Sequence, residues 1–375
     1  MSIKNKLKAN LKNIMWGKRV PQKMVIFESD DWGSNYIAGK EEFNQLVKAG
    51  ILSENSSPYA KYDTIARAKD LEILFETLDS VKDVNGKPAV FSTFFAPANP
   101  DFDKIAACDF QEYYYETFLE TLAKSGEDKA VASLWEEGIS SEMIAPAYHA
   151  REHLCVPLWM EHLQSNHKKV REAFKYRFYS VPVETLPSVV SAFRPALYFE
   201  NDEQKKQIIK SLKEGLAILN KLFKVHPSVF CPPNGLSHVD FDKALADEGI
   251  RSIKAARFRI EPNGEGGHIT RKISNPQRNE LNQMFYYRNC WFEPYQQRNN
   301  SVDYCMNHIA GAFNWNKAAV VCSHRVSYMG GIDSRNRDWG IRELKDLLKR
   351  IIKKWPDVIF CSSEEYAKLL HDNGC

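Results

Sequence analysis

The sequence predicts an α/β protein in which parallel strands are joined by crossover helices. Short apolar runs alternate along the whole chain with segments whose apolar residues recur at helical spacing. No internal repeat is visible, and this alternation is typical of repeated strand–helix–strand units. Each candidate for chemistry lies just after the carboxyl end of a predicted strand, where α/β barrels build their active sites. The 375 residues, 43% of them hydrophobic, are enough for one large domain with a full core.

The strands are predicted from short runs of branched and aromatic residues that end at polar, glycine or proline positions. The run 89–95, for example, is stopped by Pro97 and Pro100. The predicted strands are 24–27, 89–95, one ending at 231, 250–255, 284–291, 318–322 and 358–361.

The helices are predicted from apolar residues three and four positions apart. In 64–80 these are Leu71, Leu74, Phe75 and Leu78, which share one face. Similar reasoning predicts helices at 41–49, 157–177, 202–223, 241–248, 302–313 and 342–354, and one after the final strand. Residues 101–133 are also predicted to be helical, whereas 178–200, with three prolines, fits neither pattern.

The composition argues against several classes of protein. Lys and Arg number 51 against 48 Asp and Glu, so the formal charge of +3 gives no reason to expect binding to nucleic acid. The eight cysteines form no Cys-x-x-Cys pair, which favours buried free thiols in a reducing compartment. No stretch reaches the length of a membrane span and no secretory signal is visible, so we expect a cytoplasmic protein.

Residues 1–23 are predicted to be a basic segment preceding the main domain. They contain no acidic residue, and apolar residues at helical spacing predict an amphipathic helix over 3–15. Its apolar face is expected to pack on the domain. The alternative is a weak contact with an anionic membrane surface.

Two adjacent carboxylates, Asp30 and Asp31, follow the first predicted strand. Because they repel each other, a divalent metal is the usual means of holding them. His149 and His153 are four apart, so on a helical turn both rings would project from one face. One carboxylate and two imidazoles leave a metal position open for water, as in catalytic sites. Alternatively, the two carboxylates cap a helix and the histidines are ordinary hydrogen-bonded residues.

Five features in this order resemble the polysaccharide deacetylase family, the NodB-like fold of carbohydrate esterase family 4. The resemblance extends over about residues 24–370 and implies a distorted (β/α)7-type barrel, a single domain over 24–375 with insertions near 101–133 and 178–200. The matching features are Ser29-Asp30-Asp31, Val90-Phe91-Ser92-Thr93-Phe94-Phe95, His149 with His153, Pro233-Asn234-Gly235, and His324.

The resemblance also implies roles for these residues. Asp31, His149 and His153 would hold a divalent metal, with zinc expected, that activates water and polarises an acyl carbonyl. Asp30 would be the general base, and His324 would protonate the departing amine or alkoxide.

The turn at Pro233 would present the backbone N–H of Asn234 to the developing oxyanion. The chain departs from the family at Cys231, where an arginine normally steadies the base. Arg325 and Arg151 are the candidates to replace it. Asp333 or Asp338 is a candidate to orient His324.

Trp32, Trp291, Tyr328 and Arg325 are candidates for sugar stacking and polar contacts at the rim, with ordinary packing as the alternative. The resulting interpretation is a metal-dependent hydrolase that removes an acetyl group from an amino sugar or acetylated saccharide. A cytoplasmic location would favour a nucleotide-linked or lipid-linked precursor. The alternatives are a catalytically silent saccharide-binding protein, motivated by Cys231, and a glycoside hydrolase, which would need two carboxylates flanking the bond.

Overall fold

A computed structural model describes residue 13 and residues 17–53, 55–274, 276–296 and 300–372. The strands are β1 Met24–Trp32, β2 Phe91–Phe95, β3 Ala98–Pro100, β4 Tyr115–Thr117, β5 Ile144–Tyr148, β6 Val229–Phe230, β7 Ser252–Lys254, β8 Phe258–Pro262, β9 His268–Lys272, β10 Gln277–Arg278, β11 Met284–Tyr286, β12 Cys290–Trp291, β13 Ala319–His324 and β14 Ile359–Phe360.

The helices are α1 Lys40–Lys48, α2 Pro58–Tyr62, α3 Ala68–Asp79, α4 Phe102–Ala107, α5 Phe118–Ala123, α6 Asp128–Ser140, α7 Val156–Gln164, α8 Lys168–Lys175, α9 Asp202–Phe223, α10 Val239–Asp247, α11 Ser301–Phe313, α12 Ser334–Lys354 and α13 Ser363–Asp372. Single 3-10 turns occupy Pro233–Gly235 and Arg325–Tyr328.

The central sheet is parallel and closes into a barrel. Its strands run in the order β7-β6-β5-β2-β1-β13. One chain segment then joins the two edges, because β11 pairs with β7 and β12, three residues later, pairs with β13. Counting this segment once, and leaving aside the two-residue β14 that pairs with Met24 and Val25 at the start of β1, gives seven barrel positions, so the predicted distorted (β/α)7-type barrel is confirmed. The antiparallel strand β10 extends one edge, and β3–β4 and β8–β9 form separate hairpins.

Alternation along the strands separates two cores. Met24 and Ile26 belong to a cluster with inward-facing residues of the other barrel strands, such as Val229 and Val320. Val25 and Phe27 belong instead to the larger cluster between the barrel and its helices. Because successive side chains of a strand face opposite sides, the next inward positions of β1 are 28 and 30. A glutamate and an aspartate occupy these positions, so β1 places charge inside the barrel.

The long helices pack on the outside, largely where they are predicted. The helix predicted at 202–223 is α9 without change, and 64–80 contains α3. The segment predicted as one helix over 157–177 is two helices, because Asn166 adopts a left-handed φ of 56° between α7 and α8. The last long helix begins eight residues before the predicted 342, since the Asp333 side chain accepts a hydrogen bond from Arg335 N at its start.

A small apolar layer lies beside the carboxyl ends of the barrel strands. It joins residues 36–60 to residues 173–183, with Tyr36 and Phe178 in edge-to-face contact at 5.5 Å. The amphipathic helix predicted over 3–15, and any membrane contact it makes, fall outside the described residues except for position 13. Within the described part of the chain, no helix is both long enough and apolar enough to span a membrane.

Candidate active site

A bulge at the end of β1 turns two adjacent carboxylates toward one place. The sequence predicts a turn after residue 27, but the strand continues to Trp32, and its register with β2 shifts between Ser29 and Trp32. Asp31 lies in this shift with a left-handed φ of 73°. In a regular strand, Asp30 and Asp31 would face opposite sides. The bulge breaks the alternation, and such backbone strain is typical of functional sites.

Asp31, His149 and His153 form a compact group of metal-type ligands. The Nε2 atoms of His149 and His153 lie 3.5 Å and 3.2 Å from Asp31 Oδ1, and one ligand atom from each residue fits within 4.8 Å of the others. The segment is not helical as predicted, since Ala150 has a φ of 66° and α7 begins only at Val156. His149 instead follows β5 directly, so a strand end places the first imidazole.

Three buried polar atoms of this group make no hydrogen bond within the described part of the protein: Asp31 Oδ2, His149 Nε2 and His153 Nδ1. Such atoms are costly to bury, and a divalent cation is a partner that suits His149 Nε2 and the Asp31 carboxylate. His149 Nδ1 donates to the Cys231 carbonyl at 2.6 Å, which leaves Nε2 as the ligand atom. The residues therefore fit a metal ion of the zinc type.

The ionisation of the two imidazoles differs. Burial would lower the pKa of His149, but the nearby Asp31 carboxylate and the hydrogen bond to the Cys231 carbonyl raise it to about 10. Burial lowers the pKa of His153 to about 4, because the attraction of Asp31 does not offset it. His153 is therefore neutral near pH 7, whereas a cation would compete with a proton on His149.

Asp30 is held ionised by Arg288. The Arg288 guanidinium donates to both oxygens of Asp30, at 2.5 and 2.6 Å, and its Nε donates to Glu28 at 2.6 Å. Burial alone would raise the pKa of Asp30, but this cation holds it well below the ordinary value. Neither residue proposed to replace the family arginine does so. Arg151 pairs with Glu152 and Glu214.

His324 lies across from Asp30, at the end of β13. Its Nε2 is 3.7 Å from Asp30 Oδ2, and its Nδ1 donates to Glu293 at 2.5 Å. Burial would lower the pKa of His324, but Glu293 and Asp30 raise it to about 10. Glu293, Cys322 and His324 also satisfy the spacing of a metal group. However, the Arg288 guanidinium is 3.3 Å from Cys322 Sγ, which disfavours a second cation there.

The structure corrects the predicted orienting residues. Asp333 caps α12 and pairs with Arg335, and Asp338 pairs with Arg337. Both carboxylates are thus engaged on the helix that follows, and Glu293 contacts the imidazole instead.

Three of the predicted rim residues lie in the core. Trp32 is fully buried in edge-to-face contact with Trp135. Tyr328 is fully buried and bonded to Ser323. Arg325 is fully buried and forms a buried ion pair with Asp63 at 2.8 Å.

The remaining rim residues are placed differently. Trp291 is half-buried against His308 of α11, with ring centroids 5.5 Å apart. In the turn after β6, Pro233 is buried and Asn234 is exposed with a left-handed φ of 55°. An oxyanion role for the Asn234 N–H stays a prediction.

Arg288 and Glu293 were missed by the sequence reasoning, although a signal was present. Arg288 interrupts the aromatic run 284–291, and Glu28 interrupts the first apolar strand. A charged side chain inside a buried strand requires a partner of opposite charge. A pairing of Glu28 with Arg288 could therefore have been predicted from the sequence. Arg194, whose Nη2 lies 3.5 Å from Asp31, had no comparable signal because 178–200 fits no pattern.

Comparisons with known proteins give little beyond the fold. No model of a known family and no curated protein matches the chain. The matching solved structures include a 4-alpha-glucanotransferase from Thermococcus litoralis, at 11% identity and a TM-score of 0.46, covering 92% of this chain but only 40% of that one. A protein described as a putative polysaccharide deacetylase from Mycobacterium smegmatis matches at 12% identity and 0.47, covering 96% and 94%. A peptidoglycan deacetylase from Bacillus subtilis matches at 10% and 0.35, covering 94% of each chain.

Several of these structures are described as deacetylases, two of them as putative or probable ones. At such identities and TM-scores the likeness carries no argument about chemistry. Any function has to be argued from the residues of the site.

Proposed function

We propose that this protein is a metal-dependent hydrolase that removes an acetyl group from an amino sugar or acetylated saccharide. The observation that supports the proposal is the meeting of three groups at one end of the barrel. These are the Asp31–His149–His153 ligand group, the ionised Asp30 and the protonated His324. Together they match what hydrolysis of an acyl group by activated water requires.

Each side chain has a role that follows from its surroundings. When bound, a divalent cation of the zinc type would polarise the acyl carbonyl and acidify the attacking water. Asp30 accepts the proton of that water, because Arg288 keeps its carboxylate ionised. His324 donates a proton to the departing nitrogen or oxygen, since Glu293 keeps the imidazole charged near pH 7.

The silent saccharide-binding alternative loses the observation that motivated it. Cys231 occupies the position of the expected arginine, but Arg288 Nη2 lies 3.8 Å from the Cys231 thiol and supplies the charge. A positive charge beside Asp30 is thus retained, although a different residue supplies it. This favours a catalytic site over a catalytically silent binding protein.

The test is acetate release from a panel of N- and O-acetylated sugars by the zinc-loaded protein, with metal analysis of the same samples. Asp30→Asn is expected to lower kcat by about 10²–10⁴-fold, the usual contribution of a general base. Asp357→Asn, which changes an exposed carboxylate paired with Lys23, is the matched control and should keep full activity. Failure of the wild type on every sugar, or an unaffected Asp30→Asn variant, would contradict the proposal.

A further inference from the structure

Arg194 reaches the candidate metal group from the segment 178–200. Its guanidinium lies over the ring of Tyr36 at 5.1 Å and over the ring of Tyr59 at 4.7 Å. Tyr59 in turn contacts the ring of His324 at 5.6 Å. Arg194 is therefore connected to the metal ligands through Asp31 and, through Tyr59, to the residue proposed as the acid.

The guanidinium of Arg194 is mostly buried but lacks hydrogen bonds. Only 16% of the side chain is exposed, and no side-chain hydrogen bond to the described residues is present, with Nε fully enclosed and unpartnered. An arginine has five N–H donors, and leaving an enclosed one such as Nε unpaired is costly. The cation–π contacts with the two tyrosine rings hold the guanidinium in place. They do not replace hydrogen bonds from its N–H groups to oxygen acceptors.

Arg194 also differs from the four most deeply buried arginines of the described structure in its distance from the nearest carboxylate. Each of those has a carboxylate oxygen within 3.0 Å, whereas the single carboxylate within ion-pair distance of Arg194 is Asp31, at 3.5 Å. The four pairs are Arg151–Glu152, Arg259–Asp242, Arg288–Asp30 and Arg325–Asp63. The donors of Arg194 are thus placed as if for an acceptor from outside the chain.

We propose that Arg194 is a specificity-determining residue that binds an anionic group, a carboxylate or a phosphate, on the acetylated substrate. The inference rests on the proposed function, since a cation on Asp31 would neutralise the one carboxylate near Arg194. The guanidinium would then face a positive ion and need a negative partner. A planar fork suits either a carboxylate or a phosphate. Because Asp31 is so close, the anionic group lies on the acetylated sugar itself or on its immediate neighbour.

The test compares three substrates with the zinc-loaded protein: N-acetylglucosamine, N-acetylglucosamine 1-phosphate and N-acetylmuramic acid. The wild type should prefer one or both anionic sugars by about 10- to 100-fold in kcat/KM, mainly through KM, as expected for a charged hydrogen bond. The anionic sugar with the larger increase in kcat/KM shows whether Arg194 binds a phosphate or a carboxylate. Arg194→Met should bring the ratio close to one, and Arg194→Lys should restore part of it. Arg177→Met, which changes an exposed arginine paired with Asp103, should leave the preference intact.

A binding measurement separates this inference from the proposed function. Calorimetric titration of the three sugars into zinc-loaded Asp30→Asn, with and without Arg194→Met, needs no turnover. Tighter binding of an anionic sugar that disappears with Arg194→Met supports the inference even if no sugar is hydrolysed. Hydrolysis of neutral sugars with no preference for the anionic ones, or a preference that survives Arg194→Met in a folded variant, overturns it.

Discussion

Arg288 shows how one residue can supply a charge that the local motif lacks. Where the family resemblance calls for an arginine, the chain has Cys231, whose small thiol leaves room beside Asp30. Arg288 enters this space from the neighbouring segment between β11 and β12 and binds Asp30 with both terminal nitrogens. The same side chain also neutralises Glu28, one inward position earlier on β1. The charge arrangement is thus kept while its source in the sequence changes.

Replacing Arg288 should move the pH dependence of the reaction. In Arg288→Met, burial acts on Asp30 without the opposing cation, so the pKa of Asp30 rises. Because the ionised carboxylate is the base, activity is lost at a higher pH than in the wild type as the solution is acidified. We expect the acidic limb of kcat/KM to shift upward by more than one pH unit, measured as a pH–rate profile.

The control for this variant must account for lost stability. Breaking a buried ion pair costs about 3–5 kcal/mol, so Arg259→Met is the matched change. Arg259 makes an equally buried contact with both oxygens of Asp242, but it joins strand β8 to helix α10. It should destabilise the fold without moving the pH profile. An acidic limb that shifts equally in both variants, or in neither, would show that Arg288 does not set the ionisation of Asp30.

At the scale of elements, the sequence predicts where the site residues lie better than how they are turned. The strand ends placed Asp30, His149 and His324 at one edge of the barrel, because the carboxyl ends of parallel strands meet there. The bulge at Asp31 and the left-handed conformation of Ala150 could not be predicted from the sequence. A positive φ is unfavourable for any residue with a side chain, so tertiary contacts determine where it occurs. Partners contributed by distant segments, such as Glu293 and Arg194, were missed for the same reason.

Helix α9 is expected to support the metal ligands through Gly215. A Cβ at this position would overlap the Tyr148 hydroxyl and lie 2.6 Å from Arg151 Cα, and these two residues flank His149. Alanine favours a helix over glycine by about 1 kcal/mol, but overpacking against backbone costs about 1–3 kcal/mol. Gly215→Ala should therefore lower the melting temperature and also weaken zinc binding, measured by calorimetry.

Lys213→Ala provides the comparison on the same helix. Lys213 is exposed and, among the described residues, forms a surface ion pair with Glu248 at 3.4 Å, so its removal should change stability by less than about 0.5 kcal/mol. Equal zinc affinity in Gly215→Ala and Lys213→Ala would mean that the loop bearing His149 is positioned independently of α9.

At the scale of the whole molecule, the barrel interior is apolar near the start of β1 and charged toward the carboxyl end of that strand. Tyr366 and Leu370 of α13 belong to the interior cluster with Met24 and Ile26. Beyond them, Glu28 is bound by Arg288, Tyr286 and Ser363. Such a network is costly unless every member is paired. By contrast, four buried side-chain atoms at the metal-type ligands and Arg194 have no hydrogen bond within the described part of the protein, so ligand binding at this place would remove a cost of burial.

Binding of the metal should therefore stabilise the whole fold. A ligand that binds only the native state stabilises it by about 2.7 kcal/mol at a concentration 100 times its Kd, and the buried ligand atoms of Asp31, His149 and His153 exist as a group only in the folded chain. We expect zinc to raise the melting temperature by several degrees in a differential scanning fluorimetry titration, and a chelator to reverse the change. His153→Ala should abolish this response, whereas His268→Ala, on the exposed strand β9, should retain it. A shift of the same size in His153→Ala would place the zinc elsewhere and remove the metal group from the proposed reaction.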